Sequence, residues 1–209
     1  MYFAIDHTLP QLRGSRLEAA LCQLPAWRRE EARKFKFESG RAQCAASYLL
    51  LCRLLRTHYG IAAQPRFILG PHGKPELAPS SLSPSGETEG GSPAVHFNLS
   101  HCNEAVAAAV STQPVGIDIE SRGRYSADVA RYVCSAEELD FLAADPALTD
   151  LRFTQLWTRK EAAAKLIGTG LSDGESLKGL LATPRFILTT HTYDSCVCTI
   201  AQWNSSYRE

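Results

Sequence analysis

The order of apolar and polar residues divides the chain into short strands and longer helices. Residues 2–6, Tyr-Phe-Ala-Ile-Asp, have the aromatic and β-branched content of a strand. Residues 17–24 place apolar side chains at helical spacing, and Pro25 suits the first turn of a second helix over 26–37. Ser39 is positioned to cap a longer helix with Ala42, Ala45, Ala46, Leu49, Leu50 and Cys52 on its apolar face, and Gly60 to end it. Residues 66–69 read as a strand and 70–75 as a turn. Residues 79–93 are rich in Ser, Gly, Pro and Glu without periodicity, which predicts a mobile loop. Strands follow at 95–99, 105–110 and 115–119. Ser135-Ala136-Glu137-Glu138 has the form of a capping box before a short helix. Asp150 is placed to cap a strong helix running to about residue 167, with Gly168 and Gly170 as its stop. Strands at 186–192 and 196–203 close the pattern.

The two halves follow the same order. Each starts with a strand, passes through helices to a long one, and reaches a strand reading Arg-Phe-Ile-Leu, at 66–69 and again at 185–188. This predicts an α+β fold, a pseudo-dimer of two similar α+β halves, 1–112 and 113–209, with the active site in the cleft between them. An internally duplicated chain forms such a cleft as a monomer.

Composition narrows the function. The 209 residues carry 22 basic and 22 acidic side chains and no net charge. Bulk charge therefore gives no case for nucleic acid or an anionic membrane, and any phosphate must be held by a local cluster. The seven cysteines, Cys22, Cys44, Cys52, Cys102, Cys134, Cys196 and Cys198, are odd in number and lack C-x-x-C spacing. They read as buried reduced thiols of a cytoplasmic protein, with Cys196 and Cys198 on one face of a strand. Met1 leads straight into a strand, so no cleavable leader is expected, and no apolar run is long enough for a bilayer.

Candidate chemistry begins at Val115-Gly116-Ile117-Asp118-Ile119-Glu120. Strand geometry sends the two isoleucines to one face and Asp118 and Glu120 to the other. Two carboxylates side by side are either a solvated polar face or the partners of a cation. In the helix over 153–165, Trp157, Glu161 and Lys165 lie four residues apart and share one stripe. They form either an ordinary surface Glu–Lys pair or, with Trp157 drawing the stripe inward, a third carboxylate for the acidic strand. Three carboxylates suit Mg2+, a hard ion that takes octahedral oxygen ligands, and Mn2+ has the same preference. Lys165 is then placed to meet a phosphate. His101, ending Phe97-Asn98-Leu99-Ser100-His101, is either structural or a phosphate donor. Lys74 after a glycine turn and Arg41 at a helix start are further basic candidates. Arg28, Arg29, Arg33 and Lys34 read most simply as a solvated helix face.

Together these segments resemble a known family. Gly-Ile-Asp-Ile-Glu, then Trp-Thr-Arg-Lys-Glu-Ala-Ala-Ala-Lys and Gly168-Thr169-Gly170-Leu171, with Gly73-Lys74-Pro75 and Phe97-Asn98-Leu99-Ser100-His101 upstream, are similar to the 4′-phosphopantetheinyl transferases of the Sfp type. The similarity runs from about residue 41 to 171. It implies transfer of phosphopantetheine from coenzyme A to a serine of an apo acyl, peptidyl or polyketide carrier protein, with release of 3′,5′-ADP. It implies Asp118, Glu120 and Glu161 as metal ligands, and Glu161 and Lys165 as catalytic residues. Arg41, Lys74, Ser100, His101, Lys160 and Lys165 take positions that hold coenzyme A. Cys134-Ser135 departs from the family's usual Phe-Ser, and Thr169 stands where the family often has a basic residue. Rival readings of the same residues are a Mg2+ phosphohydrolase, a non-catalytic coenzyme A-binding module, and a plain scaffold.

Overall fold

The structure, a computed structural model, describes residues 1–62, 64–70, 73–78, 94–168 and 177–207. The loop expected at 79–93 and the second stop glycine, Gly170, lie outside the described residues. By its contacts the chain divides into two units, Met1–Gln113 and Pro114–Glu209, each mixing helices with antiparallel sheet. The fold is α+β.

The first unit runs β1 (Tyr2–Asp6), a 3-10 turn at Leu9–Gln11, α1 (Ser15–Gln23), α2 (Ala26–Arg33), α3 (Glu38–Tyr59), β2 (Phe67–Leu69), β3 (Pro75–Leu77), β4 (His96–His101) and β5 (Val106–Ser111). Strands pair in the order β1-β5-β4, and β2 and β3 form a separate hairpin. The small residues of β5 suit a central strand closed over on both faces. Tyr48, Leu51 and Leu55 of α3 are buried in the core with Val106, Ala108 and Val110 of β5. Each fully buried leucine contributes about 1.5–3 kcal/mol.

Two helix boundaries differ from the pattern. The second helix stops at Arg33 rather than reaching Phe37, because the backbone at Phe37 is extended. Arg41 holds that turn by donating Nε to the Phe35 carbonyl at 3.0 Å. Ser39 lies inside the first turn of α3 instead of capping it. Gly60, at φ 68°, ends α3 as expected.

The second unit runs β6 (Gly116–Ser121), α4 (Ala127–Val133), α5 (Ala136–Ala143), a 3-10 turn at Pro146–Leu148, α6 (Thr149–Ile167), β7 (Phe186–Thr192) and β8 (Cys196–Trp203). Its strands pair in the order β6-β8-β7. The capping box of α5 is complete: Glu138 N donates to Ser135 Oγ at 3.3 Å, and Ser135 N donates to Glu138 Oε2 at 2.8 Å. Asp150 does not cap α6. Its carboxylate accepts the amides of Gly123 at 2.8 Å and Tyr125 at 3.1 Å, which ties the chain after β6 to the helix. Gly168, at φ 87°, ends α6.

Both sheets have one order: first strand, last strand, penultimate strand. The repeated Arg-Phe-Ile-Leu does not mark equivalent places in that order. The second copy starts β7, the edge strand of its sheet, whereas the first lies in β2, half of the separate hairpin. By topology the counterpart of β7 is β4, and β2 and β3 are an addition between helix and sheet. Among the described residues no helix is long and apolar enough to cross a membrane. All seven cysteines are free thiols, and Cys196 and Cys198 are buried on one face of β8.

Candidate active site

The acidic strand and the long helix of the second unit lie directly against each other. Gly116 makes this approach attainable: a Cβ there would stand 2.0 Å from the Ala162 carbonyl oxygen and 2.7 Å from Leu166 N. Ala162 is fully buried at the contact and packs with Leu166 and Ala201 of β8, whereas Ala163 and Ala164 are buried in a separate cluster with Ala130, Val133 and Leu177. A chain of hydroxyls fixes the helix across the sheet, with Thr158 Oγ1 2.9 Å from Thr199 Oγ1 and Thr199 Oγ1 3.0 Å from Thr190 Oγ1. Thr199 is the β8 partner of Asp118, so this anchor sits beside the acidic position.

Strand alternation puts Gly116, Asp118 and Glu120 on the face that α6 covers. Asp118 is only 6% exposed, and Lys165 Nζ donates to its Oδ1 at 2.7 Å. Glu120 is half-buried, and its Oε1 accepts the Ser121 amide at 2.7 Å. Glu161, one turn before Lys165, has its carboxyl raised to about 7. Burial is the main cause; Asp118 and then Glu120 add to it, and Lys165 works against it. Glu161 therefore senses both strand acids, and the three carboxylates with one ammonium form a single electrostatic unit.

The donor set fits a hard divalent cation: carboxylate oxygens only, mutually repelling, with one lysine offsetting part of the charge. The side chains are neighbours without being closed on one point. Among the described residues no three His, Cys, Asp or Glu side chains make a ready group for a metal ion. Lys165 occupies one oxygen of Asp118 instead.

A cavity of about 220 Å³ opens beside Glu120, walled by Arg124, Val129, Phe153, Thr154 and Trp157. Phe153 and Trp157 stack at 6.3 Å. Trp157 is thus half-buried at the cavity wall, as the stripe suggested. Arg124 and Val129 could not be found from periodicity, because they come from the chain after β6 and from α4, which the pattern does not predict.

Lys160 corrects an expectation. It was placed among the coenzyme A contacts, yet it is 1% exposed, donates to the Leu177 carbonyl at 2.7 Å and pairs with Glu138 Oε2 at 2.7 Å. A lysine sealed between α6, α5 and the chain at Leu177 has no free reach to a ligand. Its neighbours in sequence, Arg159 and Glu161, point elsewhere because successive helix positions turn by about 100°.

The first unit holds the other basic candidates. Lys74 follows Gly73, which has φ 76°, and the turn is closed by Gly70 N donating to the Lys74 carbonyl at 2.9 Å. Lys74 is half-buried beside Glu76 and His96, and together they line a cavity of about 140 Å³. Burial lowers the Lys74 ammonium from its ordinary value, with Glu76 opposing. His96 is lowered by burial and by Lys74. Sequence spacing gave no sign of this pairing, which depends on the hairpin lying against β4. Ser100 is buried and His101 exposed at the end of β4. Arg41 is in the first turn of α3 with its guanidinium on the Phe35 and Lys36 carbonyls. The Arg28–Arg29 pair is not a solvated face. Arg29 donates to the carbonyls of Leu21, Cys22 and Leu24 at 3.0–3.1 Å, and Arg28 lies 5.6 Å from the rings of Tyr48 and Phe67.

Comparison with known proteins bears on the unit that carries this site. Residues 114–204 match the model of the 4′-phosphopantetheinyl transferase superfamily. The chain is 44% identical over 85 residues to the 4′-phosphopantetheinyl transferase psf-1 of Bacillus pumilus, which is 40% of this chain and 36% of that protein. It is 41% identical over 81 residues to the 4′-phosphopantetheinyl transferase Sfp of Bacillus subtilis (strain 168), covering 38% of this chain and 36% of the relative. A further 4′-phosphopantetheinyl transferase of Bacillus subtilis is 29% identical over 170 residues, 80% of this chain and 69% of the relative. The first two matches thus span little more than a third of each relative's length. They bear out the resemblance to the Sfp-type transferases.

Proposed function

We propose that the chain is a 4′-phosphopantetheinyl transferase that moves the phosphopantetheine arm of coenzyme A onto a serine of an apo carrier protein. The observation that carries this is the coupling of Glu161 to Asp118 and Glu120 with Lys165 on Asp118, inside the segment that matches the superfamily model. The proposal includes a pseudo-dimeric arrangement of the halves 1–112 and 113–209, with coenzyme A in the cleft between them, and action as a cytoplasmic monomer.

In this reading Asp118, Glu120 and Glu161 hold Mg2+, or Mn2+ in its place. The ion supplies charge neutralisation for the phosphates when bound. Glu161, or water beside the ion, would take the proton of the carrier serine. The serine Oγ bonds to the β-phosphorus of coenzyme A, the bond from that phosphorus to the bridging oxygen breaks, and 3′,5′-ADP leaves with the electron pair. Lys165 moves from Asp118 to the phosphate oxygens and stabilises the leaving charge. Lys74, Ser100, His101 and Arg41 hold the nucleotide end, with Arg41 lending the remaining edge of a guanidinium already fixed to its own turn.

Intact-mass analysis of several apo carriers after incubation with coenzyme A and Mg2+ tests this directly. A carrier heavier by one phosphopantetheine, absent when Mg2+ is chelated, is the expected result. Coenzyme A breakdown without carrier modification, or no turnover on any carrier, overturns it.

A further inference from the structure

We propose that the first unit carries a second binding site, for a small amphipathic carboxylate, in the cavity between the 3-10 turn, α1 and α3. The cavity measures about 420 Å³, within the range of small-molecule sites. Its floor is apolar, with Leu9 from the turn and Leu49 and Leu50 from α3. Its rim carries two exposed arginines, Arg16 of α1 and Arg53 of α3. None of its lining residues is among the proposed metal ligands, catalytic residues or coenzyme A contacts.

The rim argues for an acid. Among the described residues neither arginine has a carboxylate partner, and the side-chain hydrogen bond of Arg16 is a long 3.5 Å contact to Gln11. The one acid on the rim, Asp6, is engaged by its own turn: Thr8 donates to its Oδ1 from the amide at 2.8 Å and from Oγ1 at 2.6 Å. Two guanidinium forks above a leucine floor match a carboxylate head with a short alkyl tail. A neutral amphipath gains the floor but not the forks, and a bare anion gains the forks but not the floor. The ligand touches the turn, α1 and α3 together, so binding links these elements and raises the melting temperature of the unit.

Octanoate below its micellar concentration is the probe, with 1-octanol as the uncharged control, read by calorimetric titration and thermal unfolding of the full chain. The expected result is one-to-one octanoate binding with a higher melting temperature. Arg53→Ala weakens it about tenfold, as loss of a charged hydrogen-bonded partner does. Leu49→Trp, which fills the floor, abolishes it. Asp118→Asn, in the other unit, leaves it unchanged. Octanol binding as tightly as octanoate, absence of octanoate binding, or binding to Arg53→Ala as tight as to the parent overturns the proposal. Arg53 is an exposed surface residue, so its variant remains informative even where Leu49→Trp fails to fold.

Discussion

Lys165 Nζ sits 2.7 Å from Asp118 Oδ1, one turn beyond Glu161 on the same helix. The pair is asymmetric in burial: Asp118 is nearly closed off and the lysine is 30% exposed. Removing the ammonium therefore leaves a buried charge next to two other acids. Lys165→Ala should destabilise the chain by about 1–3 kcal/mol at neutral pH, and urea unfolding measures it. Mg2+ should restore much of that loss in the variant if the carboxylates take a cation. Transfer to a carrier should fall about 10²–10³-fold even with Mg2+ present. A variant as active as the parent would remove Lys165 from the mechanism.

Glu161 makes stability depend on pH in an uncommon direction. Its folded carboxyl is raised to about 7 from an ordinary value of 4.5. Between these values the folded state holds a proton that the unfolded state has lost, so stability falls as pH rises through this window. The penalty is absent below about 4.5 and complete above about 7. Melting of the metal-free chain should therefore drop from pH 5 to pH 8. Glu161→Gln should flatten that slope, and so should Mg2+, which offsets the carboxylate charge. An equal slope in parent and variant would show that Glu161 does not titrate there.

Much of this neighbourhood was legible in the residues, for a physical reason. A period of two sends Asp118 and Glu120 to one face of β6, and a period of four aligns Trp157, Glu161 and Lys165. Both are local rules, and β1, β7 and β8 also have the bounds that alternation and turn residues gave. What escaped depends on distant partners. Lys160 has the same charge and helix as Lys165, and only the placement of α5 and of Leu177 determines that it is buried. Lys74 meets His96 only because a hairpin lies against β4. Ser39 looked like a cap, but the extended backbone begins two residues earlier at Phe37. The repeated Arg-Phe-Ile-Leu misled because sheet order, not sequence, defines equivalent strands.

Gly116 is needed for closeness rather than for an unusual backbone angle. An added Cβ meets backbone atoms of Ala162 and Leu166, which no rotamer change relieves. Gly116→Ala must push α6 off β6 and draw Glu161 and Lys165 away from Asp118. The expected cost is about 2–4 kcal/mol, with a loss of transfer larger than instability at assay temperature explains. Chemical denaturation together with carrier modification separates the two. Parent-like stability would mean that the helix adjusts more easily than its backbone contact implies.

The Lys160–Glu138 pair offers a test of structural against ligand-binding lysines. Lys160→Met alone leaves the half-closed Glu138 carboxylate without its cation and the Leu177 carbonyl without its donor, at about 3–5 kcal/mol. Glu138→Gln in the same chain removes the stranded charge while an amide oxygen still accepts the Ser135 amide. The double variant should therefore regain most of the stability lost, giving a coupling energy of at least about 1–2 kcal/mol in a denaturation cycle. A structural lysine further requires the KM for coenzyme A in the double variant to stay within about twofold of the parent, since no kcal-scale contact to substrate has been removed. A KM raised tenfold or more in this refolded background would return Lys160 to the coenzyme A site and show that the ion pair opens on binding.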